Sequence, residues 1–113
     1  MDPDKVAPPL LALLDLDEDG FRRRFAASPV KRAKRRGLLR NVAVALGNWG
    51  APAAVPALVG ALDDAEPLVR GHVAWALGCI GTEEARRVLR RALGGEQDGE
   101  VRGEITAALQ MAA

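Results

Sequence analysis

LLRNVAVALGNWG (residues 38–50) and VRGHVAWALGCIG (residues 69–81) are one phrase written twice, 31 positions apart. In the first copy Leu38, Leu39, Val42, Ala45, Leu46 and Trp49 recur at helical spacing, and the run stops at Gly47 and Gly50. The Gly-x-x-Gly ends, Gly47/Gly50 and Gly78/Gly81, predict left-handed helix caps and a tight turn into a partner helix. That partner also repeats: Ala54, Leu58, Ala61 and Leu62 line up with Ala85, Leu89, Ala92 and Leu93. A third start appears at Val101-Arg102-Gly103-Glu104-Ile105, closed by Ala108 and Leu109. One helix pair cannot bury its apolar face alone, so units must stack. The expected fold is all-α: a short right-handed α-solenoid of about two and a half helix pairs over residues 29–113. A linker and one or two short helices over residues 1–28 precede it.

Working outward, the helix of the first copy has an unusual front end. Ser28 and Pro29 suit a helix start, and Lys31, Arg32, Lys34, Arg35 and Arg36 follow within six positions. Wound at about 100° per residue, Lys31 and Arg35 fall in the sector of Leu38, Val42 and Leu46. An unpaired cation in a buried stripe costs several kcal/mol. No turn dipeptide follows Gly37, so the expectation is an unbroken helix whose first turns project beyond the core with their cations in water. The acidic residues lie elsewhere: residues 21–40 hold nine Lys and Arg and no acid, whereas residues 1–20 hold six acids and one lysine.

Composition agrees with close-packed helices. The chain of 113 residues is 49% hydrophobic with two Phe, two Trp and no Tyr. One cysteine, Cys79, excludes a disulfide framework and any four-cysteine metal or iron–sulfur site held by this chain alone. The apolar run at Leu10–Leu14 is too short for a signal peptide or a membrane span, and a cytoplasmic protein is the plain expectation. Asp17 should cap a short helix bearing Phe21 and Phe25 on one contact line, with Arg22 to Arg24 facing water. Asp15-x-Asp17-x-Asp19-Gly20 imitates the start of a calcium loop, but the twelfth position is Ala26 where a Glu is needed. His72, the single histidine, corresponds to Asn41 and Glu104 and belongs on an exposed helix face. Trp49 and Trp75 read as packing residues. Arg86, Arg87, Arg90 and Arg91 have Glu83 and Glu84 one turn earlier, which predicts i, i+3 or i, i+4 pairs. The 31–36 cluster has no acid within helical reach, so an anionic partner is expected, met through phosphates rather than stacked bases.

Two resemblances carry further. Glu66-Pro67-Leu68-Val69-Arg70-Gly71-His72-x-Ala74-Trp75-Ala76-Leu77-Gly78 resembles a HEAT-like repeat of the phycobilisome-lyase type. A bilin-lyase role would lack any cofactor-bonding cysteine beyond Cys79. More specifically, Phe21-x-x-x-Phe25-x-x-Ser28-Pro29 through Lys31-Arg32-Ala33-Lys34-Arg35-Arg36-Gly37 to Asn48 resembles epoxyqueuosine reductase, where its iron–sulfur part gives way to C-terminal helical repeats. The resemblance implies a C-terminal fragment of a tRNA-modifying oxidoreductase of queuosine synthesis that uses cobalamin and two [4Fe–4S] clusters. The repeat domain would hold the tRNA anticodon stem-loop. Nothing in these residues supplies the cluster or cobalamin motifs, so the chain alone is expected to be no enzyme, to bind no cofactor, and to be a monomer working with the absent catalytic half. The RNA-facing residues implied are Lys31, Arg32, Lys34, Arg35, Arg36, Arg40 and Asn41, with Arg70 and His72 added from their repeat position. The competing expectation is a protein–protein scaffold with no nucleic-acid role.

Overall fold

The computed structural model describes residues 10–25 and 34–111, and every regular element among them is a helix. Residues 10–13 form a helical turn, and Leu14 closes it into the core. The Asp17 carboxylate accepts from the Gly20 amide at 2.7 Å and caps α1 (Glu18–Arg24), as its sequence predicts. Phe21 is buried and its ring centroid lies 5.0 Å from that of Phe25. Arg22, Arg23 and Arg24 face water. The Ser28-Pro29 start, Lys31 and Arg32 lie outside the described residues.

Three first helices then alternate with two second helices. α2 (Lys34–Trp49) leads through a 3-10 turn at Pro52–Ala54 into α3 (Val55–Ala61). α4 (Pro67–Ile80) pairs with α5 (Glu83–Gly95), and α6 (Gly99–Met111) opens the third unit. The Thr82 hydroxyl accepts from the Ala85 amide at 3.1 Å and starts α5. Asp98 does the same for α6, accepting from the Glu100 and Val101 amides. The dominant packing runs from α2 to α4 to α6, with α3 and α5 as a second layer beneath. The Cα envelope measures 43 × 34 × 16 Å, its thin dimension fitting two helix layers about 8–10 Å apart.

Between the layers the repeated apolar positions meet. Leu39, Leu46, Leu58, Leu77, Leu89 and Ile105 are fully buried. Each contributes roughly 1.5–3 kcal/mol relative to exposure. No polar or charged residue is fully buried among the described residues. α2 runs through Gly37 without a break, as expected.

The glycine expectation needs a correction. Gly50 (φ 71) and Gly81 (φ 69) adopt the left-handed conformation after α2 and α4, but Gly47 and Gly78 do not. Both sit inside their helices and are buried. A Cβ on Gly47 would lie 3.0 Å from the Ala76 Cα and closer still to the Trp75 ring, and one on Gly78 would lie 2.9 Å from the Ala108 Cα. These two glycines let each first helix touch the backbone of the next. They set the stacking distance of the solenoid.

Candidate nucleic-acid interface

The described part of the basic cluster borders a cleft of about 390 Å³ between α1 and the start of α2. Glu18 and Arg22 of α1, Lys34, Arg35 and Arg36 of α2, and Glu66 line it. Lys34 is exposed and makes no ion pair among the described residues.

Arg35 overturns the expectation of free cations. It does not project; its guanidinium folds back and grips Asp64, in the loop between α3 and α4, through both Nη1 and Nη2. Its Nε donates to the Leu16 carbonyl at 2.7 Å. The two side chains are only 11% and 6% exposed, so this pair is structural. The hydrogen bond to Asp64 raises the Arg35 pKa above its ordinary value against the opposing pull of burial, and Glu18 and Glu66 add to the rise. The angular sector read from the sequence was therefore right about burial, and a tertiary carboxylate supplies the missing counter-ion. Arg36 stays exposed at 4.0 Å from Glu66, a contact worth little in water. Both carboxylates come from the α3–α4 loop, out of helical reach of the cluster.

Arg70 repeats the arrangement one unit later. Its Nε and Nη2 donate to Glu96 at 2.8 and 3.0 Å, and its Nη1 donates to the Asp64 carbonyl at 2.8 Å. The bond from Arg70 holds the Glu96 carboxyl below its ordinary range and lifts the Arg70 pKa in return. Glu96 also accepts from the Gln97 and Asp98 amides, as Asp64 accepts from Glu66. Arg102, at the matching position of α6, donates to the Leu93 and Glu96 carbonyls. A ladder of arginines thus ties each first helix to the loop of the neighbouring unit. The repeat register shows Arg70 and Arg102 as equivalents, but the acid partners of Arg35 and Arg70 lie 29 and 26 residues away and carry no local signal.

The remaining candidates separate. Arg40 is half-buried and its Nε donates to Asn41 Oδ1 at 3.2 Å, leaving Asn41 exposed. His72 donates from Nδ1 to the Leu68 carbonyl at 2.9 Å and lines a different groove, shared with Asp98, Glu100 and Glu104, where a phosphate is repelled. Trp75 rests on Gly47 and Trp49 packs against the core, both as expected. On α5, Arg90 reaches Glu83 seven residues back at 3.3 Å instead of at the predicted shorter spacings. Arg87 and Arg91 are exposed there with no acid partner among the described residues. Asp17 and Asp19 are engaged as cap and as the Arg22 partner, and no cluster of metal-ligating side chains occurs among the described residues. Cys79 is half-buried, and burial raises its thiol pKa. A single protonated thiol does not fit the four-thiolate demand of a [4Fe–4S] cluster.

A family model described as HEAT repeats matches residues 32–110. The chain is 33% identical over 113 residues to an epoxyqueuosine reductase of Bacillus cereus, covering 99% of this chain and 30% of that protein. It is 35% identical over 107 residues to an epoxyqueuosine reductase of Listeria monocytogenes, covering 94% of this chain and 28% of that one. Among solved structures, an epoxyqueuosine reductase with a tRNA-Tyr epoxyqueuosine-modified stem loop superposes with a TM-score of 0.84 at 29% identity, over 91% of this chain and 28% of that one. The chain therefore spans about 30% of the length of these relatives. Stacked first helices, a repeated apolar register and a model match over most of the sequence agree: the chain belongs to the HEAT-repeat family.

Proposed function

We propose that this chain is the tRNA-holding helical-repeat part of an epoxyqueuosine reductase, gripping an anticodon stem-loop for a catalytic half that carries the cobalamin and the iron–sulfur clusters. The observation that carries this reading is the similarity, at a TM-score of 0.84, to a reductase solved with a modified tRNA stem loop. The reading leaves the redox chemistry entirely to the other half, and makes this chain a cytoplasmic monomer when alone. Phosphate contacts fall to Lys34, Arg36, Arg40 and Asn41, exposed or half-exposed on α2, together with Lys31 and Arg32 just before it. Arg35 and Arg70 shape that surface through their carboxylate pairs without meeting RNA.

Binding of an anticodon stem-loop at two salt concentrations tests the proposal. With up to five cationic phosphate contacts, affinity should drop by roughly a hundredfold or more between about 50 and 200 mM salt. A Lys34→Glu/Arg40→Glu variant should bind weakly at either concentration. Salt-independent binding, or none at low salt, overturns the proposal. Intact RNA binding in that variant with loss of association to the catalytic half would favour a scaffold role instead.

A further inference from the structure

The outer face of the first-helix layer, on the side away from α3 and α5, carries a groove of about 530 Å³ crossing α2, α4 and α6. Its floor is apolar: Val44, Pro67, Leu68 and Trp75. Leu68 is one of two large apolar side chains left exposed in the described chain, at 37%. Gly71, lacking a side chain, keeps the floor open beside Glu104. One wall is acidic. Asp98 is occupied in capping α6, but Glu100 and Glu104 stand one turn apart, exposed, with no ion pair among the described residues. No lysine or arginine lines the groove. Two like charges at i, i+4 repel, and a cation set between them removes that cost.

We infer that this groove docks a basic amphipathic segment of a partner protein, its apolar side chains on Leu68, Trp75 and Val44 and a Lys or Arg between Glu100 and Glu104. Charge complementarity selects the occupant: the carboxylates admit a cationic protein segment and exclude a phosphate backbone. The inference stands apart from the RNA surface on α2.

A synthetic amphipathic Leu/Lys peptide, titrated into the protein while the Trp75 indole N–H resonance is followed, tests it. The peptide should shift that resonance, and a Glu100→Lys/Glu104→Lys variant should bind it about tenfold or more weakly. Both side chains are exposed, so the variant should keep its fold. Glu84→Lys, on exposed α5 surface, should change affinity by less than about twofold. The inference is overturned if the Trp75 resonance does not move, if a Leu/Glu peptide binds equally, or if Glu84→Lys weakens binding as much as the double reversal. It is also overturned if a tRNA stem-loop alone shifts Trp75, which would make the groove an RNA surface.

Discussion

At the scale of single residues, a cation's role here is set by which carboxylate the fold delivers to it. Arg35 and Arg36 are neighbours, yet one is sealed against Asp64 and the other is held loosely at 4.0 Å from Glu66. Arg35→Ala should therefore lower stability by about 1–3 kcal/mol, because it strands a nearly buried carboxylate, while the RNA binding proposed for the exposed cations should persist. Urea unfolding alongside stem-loop binding separates the two effects; a loss of RNA affinity in a fully stable variant would return Arg35 to the interface. The Glu96–Arg70 pair predicts a pH dependence. Glu96 titrates below its ordinary 4.5 in the folded chain, so its stabilisation is complete above that value and fades as pH falls through the lowered one. Glu96→Gln should cost about 1–2 kcal/mol near neutral pH, and the gap to the parent should narrow as pH falls below the ordinary 4.5. A gap that stays constant into acid would mean the charge contributes nothing.

At the scale of elements, the helices are ordinary and their spacing is not. Gly78 faces the Ala108 Cα closely enough that α6 must retreat to admit a methyl group. Gly78→Ala should destabilise by about 1–3 kcal/mol despite the better helix propensity of alanine. Gly103, in α6 with nothing near its missing Cβ, provides the contrast. Gly103→Ala should stabilise by roughly 0.5–1 kcal/mol. Urea midpoints of the two variants check both signs. Equal effects would mean that close approach of α4 and α6 is unimportant to the stack.

At the scale of the molecule, layering sorts the charges onto separate surfaces. The start of α2 is basic, α5 presents Arg87, Arg90 and Arg91 on the outside of the second layer, and the α4–α6 groove on the outside of the first is acidic. A net charge of +1 conceals this arrangement. RNA and a basic protein segment would then meet different surfaces. Adding the stem-loop should leave the affinity of the groove for a cationic probe unchanged to within about twofold once the probe's own RNA binding is subtracted. Isothermal titration with and without RNA measures that, and strong coupling would place both ligands on one surface.

The sequence by itself determined the all-helical solenoid, its repeated core positions, the cap at Asp17, and the left-handed turns at Gly50 and Gly81. Each of these depends on residues within a few positions of one another, where apolar period and capping chemistry act locally. Only the tertiary structure decided that Gly47 and Gly78 serve helix contact, that Arg35 and Arg70 are bound to acids 29 and 26 residues away, and that His72 sits among carboxylates. Pairing across units depends on where stacking brings the loops. That distance is a property of packed helices, which no local pattern encodes.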